Sequence, residues 1–245
     1  MKLVDFHCHL DLYPDFESLV SESDRLEIFT LAVTTTPQAW SRNRLLASKT
    51  KYVRAALGLH PQLVADHWRQ IDLWEKLLGE TRYVGEVGLD AGPQYFSSLG
   101  RQTQIFRRIL QACAKAGDKI ISIHSVRSAA RVLDLIEDEV PAGRGKFVFH
   151  WFTGSVAEAR RAAGLGCFFS VNSQMMQSEK GRKLIASLPD DRLLTETDGP
   201  FTSEGEHPAK PKNVERAVAL LGKARGWSTI ECGNVILKNL KTLTL

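Results

Sequence analysis

Tyr83-Val84-Gly85-Glu86-Val87-Gly88-Leu89-Asp90 is a short, largely apolar run. The helical-period segment Leu99–Ala116 follows it, then a second apolar run, Ile120–Val126. Both runs are continuously apolar and do not alternate cleanly, which predicts strands covered on both sides. A strand, a long helix and a second strand of that kind predict parallel pairing through a right-handed crossover. The unit recurs in both directions. Further strand candidates are Leu3–Leu10, Ile28–Thr36, Tyr52–His60, Lys146–Phe152, Cys167–Ser173 and Leu193–Asp198. Helices are expected over Phe16–Glu27, Gln38–Lys49, Gln70–Gly79, Ala129–Glu139, Val156–Ala163, Lys180–Ser187, Asn213–Arg225 and Thr229 to about Leu240, with Gly79, Gly117 and Gly226 as left-handed caps. Eight strands alternating with helices in 245 residues predict an α/β fold of the (β/α)8 TIM-barrel type, one domain over residues 1–245. A doubly wound open sheet is the alternative. The stretch Thr202–Pro211 reads as one long irregular loop.

Composition narrows the class. With 43% hydrophobic and 24% charged residues, the chain reads as globular, which excludes disorder and coiled coil as dominant states. The opening MKLVDFHCHL has no apolar segment after its lysine, and no run approaches membrane-spanning length, so neither a signal peptide nor a membrane partner is expected. Four cysteines without paired spacing fit buried thiols in a reducing cytoplasm. The net charge of +4 tolerates a polyanionic substrate without demonstrating one.

The ionisable residues carry the functional signal. His7 and His9 end the first strand, His60 the third, Glu86 lies near the end of the fourth, His124 and His150 end the fifth and sixth, and Asp198 ends the eighth. In a barrel these ends meet at one mouth, where such folds place their chemistry. His7 and His9, two apart on a strand, face the same side, and Cys8 points away. Glu86 is costly in an apolar strand unless paired, and its two oxygens can bridge two cations. Four imidazoles and two carboxylates exceed the need of one tetrahedral ion, so the pattern predicts a binuclear centre. Asp198 is the candidate acceptor of a proton from water, and Glu196, on the same face, either shares the site or supports it. His60 is expected to meet substrate rather than metal. His67 and His207 read as solvated.

The same residues resemble the TatD family of metal-dependent deoxyribonucleases, within the amidohydrolase-like barrels. Asp5-Phe6-His7-Cys8-His9, Gly58-Leu59-His60-Pro61, Gly85-Glu86-Val87-Gly88-Leu89-Asp90, Ile123-His124-Ser125, Phe149-His150-Trp151-Phe152-Thr153-Gly154-Ser155 and Glu196-Thr197-Asp198-Gly199-Pro200 carry the likeness nearly end to end. The resemblance implies one metal on His7, His9, Glu86 and Asp198 and a second on Glu86, His124 and His150. It further implies two divalent ions (Mg, Mn or Zn) and hydrolysis of DNA phosphodiesters, single-stranded or at ends. Val126 stands between Ser125 and Arg127 where the family usually has His-Ser-Arg, and Pro211-Lys212-Asn213-Val214 replaces a family segment, so the substrate surface departs most. The opening His-Cys-His-Leu-Asp-Leu-Tyr-Pro resembles the QatD branch, whose members accompany other anti-phage defence proteins.

The chemistry this implies is hydrolysis by a metal-activated water, with Asp198 taking the proton and His60, Lys210 and Lys212 steadying the phosphate. Trp151 and Phe152 are candidates to meet a base. Competing readings are a C–N or ester amidohydrolase, an acyl-tRNA deacylase, and a non-catalytic subunit of a defence complex. The strand holding Glu86 has no lysine of the kind many binuclear amidohydrolases carboxylate.

Overall fold

The computed structural model describes residues 1–245. Eight parallel strands, β1 (Val4–Cys8), β2 (Phe29–Val33), β3 (Val53–Ala56), β4 (Tyr83–Gly88), β5 (Ile120–His124), β6 (Lys146–His150), β7 (Phe168–Val171) and β8 (Leu193–Thr195), run in sequence order. They form two ladders, β1 to β3 and β4 to β8. At the first seam the Leu57 N–H donates to Tyr83 O (3.0 Å) and the Gly85 N–H to Leu57 O (3.0 Å). At the second, the Asp198 N–H donates to His7 O (2.8 Å) and the His9 N–H to Gly199 O (2.8 Å). Because the first and last strands meet, the sheet closes into a barrel, and the open-sheet alternative is excluded.

Every residue of β1 and β5 is buried, as parallel strands under a jacket of helices require. That jacket comprises α1 (Phe16–Arg25), α2 (Trp40–Ala47), the short α3 (Val64–His67) and α4 (Ile71–Leu77), α5 (Leu99–Ala116), α6 (Ala129–Glu139), α7 (Val156–Gly164), α8 (Glu179–Ser187), α9 (Val214–Arg225) and α10 (Thr229–Thr244). Helix α5 shows why the amphipathic reading works: Ile105, Phe106, Ile109, Leu110 and Cys113 recur at helical spacing and are buried.

Helix ends follow local chemistry. Ser155 and Glu158 form a capping box at α7, and Ser228 with Glu231 one at α10. Gly226 ends α9 in the left-handed conformation (φ 71°, ψ 21°). Gly79, expected as a similar cap, instead lies inside a 3-10 turn, Leu78–Glu80. The expected loop after β8 contains a small antiparallel hairpin pairing Ser203–Glu204 with His207–Pro208. All four cysteines are buried and unpaired, and no helix is long and apolar enough to cross a membrane.

Candidate metal centre

Two local irregularities aim the central side chains. The β1–β2 register shifts between Asp5 and Cys8, around His7, and the β4–β5 register shifts between Val84 and Val87, around Glu86. Irregularities of this kind re-aim side chains beside functional sites. At β4 the Glu86 N–H turns to Thr34 O (3.0 Å) and the Thr34 N–H to Gly85 O (3.1 Å), so the segment is tied across to β2. His9 lies just past the end of β1, yet its backbone bond to Gly199 holds it beside His7, with the two Nε2 atoms 3.3 Å apart.

Glu86 is the hub. Its Oε2 lies 3.3 Å from His7 Nε2 and 3.1 Å from His9 Nε2. Its Oε1 lies 2.6 Å from His124 Nδ1, 2.8 Å from His150 Nε2 and 3.2 Å from His60 Nε2. One carboxylate thus gives each oxygen to a different set of imidazoles. Asp198 Oδ1 joins the Oε2 side, 3.7 Å from His7 Nε2 and 3.6 Å from His9 Nε2. Asp198 adopts a left-handed backbone (φ 53°), uncommon for a non-glycine residue and typical of functional turns.

Outer partners fix the rings. His7 Nδ1 meets Ser122 Oγ at 2.8 Å. His124 Nε2 meets Asp90 Oδ2 at 2.9 Å, and that carboxylate also accepts from Gln62 Nε2 (2.8 Å) and the Gly92 N–H (2.7 Å). Asp90 is the residue that sequence reasoning missed. Its signal was available, a buried acid four residues beyond Glu86. Glu196, expected to share or support the site, is tied to its wall, where Oε1 accepts from the Trp151 N–H (3.0 Å) and Asn172 Nδ2 (2.9 Å) and Oε2 accepts from Ser170 Oγ, with His150 Nδ1 3.7 Å from Oε1; it also offers a ligand atom within 4.8 Å of those of His7 and His150.

The electrostatics follow from crowding. Burial penalises an ionised Glu86, yet the imidazoles of His60, His150 and His7 and the bond to His124 outweigh it and hold this carboxyl well below its ordinary range. Burial likewise opposes a charged His150, but Glu86 and Glu196 overcome it and raise this imidazole well above its usual value. His7 and His60 are lowered, chiefly by burial. Burial pushes Asp198 up to about 7.

The mouth opens into a cavity of about 290 Å3, lined in part by His60, Gln62, Trp151, Asp198 and Phe201. No lysine or arginine lines it. Lys210 and Lys212 are drawn to helix α1 and its cap instead, Lys210 Nζ to Asp15 just before the helix (2.9 Å) and Lys212 Nζ to Glu22 within it (3.2 Å), where they line a separate depression. Phe152 is in the core, 1% exposed and packed on Phe149 and Phe169, so it does not reach the mouth. His67 and His207 are exposed, as expected.

The donors suit divalent cations. His7, His9 and Asp198 offer ligand atoms within 4.8 Å of one another, as do His60, Glu86 and His124. Asp198 Oδ1, His9 Nδ1 and His150 Nδ1 are buried without a hydrogen-bond partner, a cost that a bound cation removes where the atom faces it, as Asp198 Oδ1 does. Nitrogen and carboxylate donors accept zinc, manganese or magnesium-like ions.

The family described as TatD related DNase matches residues 4–244. An uncharacterized metal-dependent hydrolase of Methanocaldococcus jannaschii is 27% identical, covering 98% of this chain and 95% of its own. The uncharacterized metal-dependent hydrolase YjjV of Escherichia coli is 29% identical, covering 99% and 97%. The crystal structure of YjjV, a TatD homolog, superposes with a TM-score of 0.86 over 98% of this chain and 97% of that one. A protein of Danio rerio named putative deoxyribonuclease tatdn3 is 25% identical over 92% of this chain and 91% of its own. These matches reach the family and do not separate the QatD branch within it. With the barrel closed and its buried histidines and acids gathered on one carboxylate, a match running from the first strand to the last helix means that the chain belongs to the TatD family of metal-dependent hydrolases.

Proposed function

We propose that the protein hydrolyses phosphodiester bonds of DNA, in single strands or at ends, with two divalent ions (Mg, Mn or Zn). The observation that carries this reading is the division of Glu86: Oε2 faces His7 and His9, and Oε1 faces His124 and His150. His7, His9, Glu86 and Asp198 would hold one ion, and Glu86, His124 and His150 the other. When bound, such a pair lowers the pKa of water and offsets charge developing on a phosphate.

The chain's own groups complete the chemistry. Asp198 would face the ion through Oδ1, buried and free of hydrogen bonds, and take the proton of the attacking water on its other oxygen, Oδ2. His60 Nδ1 accepts from the Gln62 N–H at 3.2 Å, which leaves its proton on Nε2. His60 lines the cavity, and its Nε2–H faces Glu86 Oε1 at 3.2 Å; it would be free to donate to a non-bridging phosphate oxygen once a cation takes that carboxylate oxygen. With no lysine or arginine lining the cavity, His60 is the chain's own candidate to steady the anion, and bound cations would supply the remaining positive charge. The name of the Danio rerio relative supports the choice of DNA. Four buried, unpaired cysteines support a cytoplasmic setting, and the likeness of His7–Pro14 to the QatD branch supports a role beside other anti-phage defence proteins, which loss of phage resistance on deleting the gene would test.

Metal analysis followed by cleavage of a fluorescent deoxyoligonucleotide, with and without added Mn or Mg, tests the activity. Wild type cleaves; His124→Ala and Asp198→Asn do not, while their circular dichroism is unchanged. Near wild-type cleavage by either variant overturns the residue assignment. A metal-replete protein that turns over lactones or dihydropyrimidines and is inert on nucleic acids overturns the phosphodiester reading.

A further inference from the structure

Phe201 stands at the mouth, 61% exposed. It lies three residues after Asp198 and lines the same cavity as the metal-facing groups. Its ring is perpendicular to that of His9, with centroids 5.1 Å apart and planes at 88°. A perpendicular contact leaves at least one face of Phe201 clear of that neighbour.

The ring is held in place. The Phe201 N–H donates to Asp198 O at 2.9 Å. The turn between them contains Gly199, where any Cβ would fall 2.0 Å from Ala209 O and 2.1 Å from the Tyr13 hydroxyl. The platform therefore moves with the candidate ligand Asp198. The same cavity is lined by Trp151, half-buried, whose strained backbone (φ 36°) is clamped by its N–H bond to Glu196. A cavity lined by Trp151 and Phe201 and without lysine or arginine takes a flat apolar group beside the phosphate better than a second phosphate.

We propose that Phe201 is the stacking platform for the nucleobase that flanks the scissile phosphate, with Trp151 as the second aromatic wall. This inference rests on the phosphodiester reading above. It selects substrates whose terminal base is unpaired, because a base within a duplex cannot lie on an isolated ring. It also makes recognition depend on the base more than on backbone charge.

The test compares the metal-loaded wild type with Phe201→Ala, Phe201→Leu and Phe201→Tyr. Each is assayed on a single-stranded deoxyoligonucleotide and on a matched strand lacking the base at the terminal nucleotide. Metal content is measured for every variant, because Phe201 touches His9. Stacking on one base by a single aromatic predicts that Phe201→Ala raises KM on the base-bearing strand by about 5- to 150-fold. KM on the abasic strand and metal content stay unchanged, Phe201→Leu resembles Phe201→Ala, and Phe201→Tyr restores the wild-type KM. Fluorescence anisotropy with a labelled, cleavage-resistant phosphorothioate strand shows the same ranking in Kd. Equal changes on both strands, or none on the base-bearing one, overturn the inference while leaving the nuclease reading intact. A metal-loaded wild type inert on both strands overturns that reading, and this inference with it.

Discussion

Replacing Asp90 by Asn changes one atom and inverts the logic of His124. The Asp90 side chain cannot swing away, because Gln102 holds its backbone from both sides: the Asp90 N–H donates to Oε1 (2.7 Å) and Nε2 donates to Asp90 O (3.1 Å). Oδ1 accepts from the Gly92 N–H, so an asparagine must leave its oxygen there. Its amide NH2 then faces His124 Nε2, where Oδ2 stood 2.9 Å away. The imidazole has to accept at Nε2 and carry its proton on Nδ1, the nitrogen 2.6 Å from Glu86 Oε1. That proton occupies the lone pair needed for a cation. Loss of such an orienting partner typically costs 10- to 100-fold in metal affinity, about 1.4–2.7 kcal/mol. In a chelator competition titration with Zn or Mn, the expected outcome is a weakening of that size at one site, the one His124 lines, with the other unchanged. Wild-type affinity at both sites, or an equal loss at both, would refute the tautomer argument.

Further expectations concern the scaffold. The Ser155 N–H (2.6 Å), its hydroxyl (2.7 Å) and the Ala130 N–H (3.1 Å) all donate to the Glu158 carboxylate and hold it below its ordinary value of 4.5. A carboxyl depressed by folding stabilises above the unfolded value, and that contribution fades as pH falls through the folded one. Glu158→Gln is therefore expected to lose about 0.5–1 kcal/mol at pH 7 in urea melts, and less at increasingly acid pH below 4.5; a gap that widens in acid contradicts this. Phe149, fully buried against Phe152 and Phe169, should cost about 3–5 kcal/mol on conversion to alanine, read from the same melts. Gly199→Ala forces Ala209 or Tyr13 to move and displaces the carbonyl that binds the His9 N–H, so both Tm and metal affinity should fall. An unchanged metal affinity would separate that turn from the site.

The barrel was legible because burial on both faces writes itself as uninterrupted apolar runs; α5 and α6 fall at the expected boundaries for the same reason. Strand ends were less legible. β8 stops at Thr195, short of the expected Asp198, because Thr197 turns to Asp5, its N–H donating at 2.7 Å and its hydroxyl at 2.6 Å. The convergence of His7, His9, Glu86, His124, His150 and Asp198 needs only that each lie within a few residues of its strand's C-terminal end, which the order of elements shows even where the end itself is misplaced. Contacts made by long flexible side chains are not shown that way: Lys210 and Lys212 flank the mouth in sequence yet reach acids on α1 and its cap. Nor does periodicity tell a core aromatic from a rim one, which is why Phe152 sits inside while Phe201, unremarked in the sequence, stands at the opening.

Anomalous diffraction from crystals soaked in Mn tests the central claim most directly. Two peaks are expected, one bounded by Glu86 Oε2, His7, His9 and Asp198, the other by Glu86 Oε1, His124 and His150. A single peak away from Glu86, or manganese bound only at the surface, would contradict a centre organised on that carboxylate.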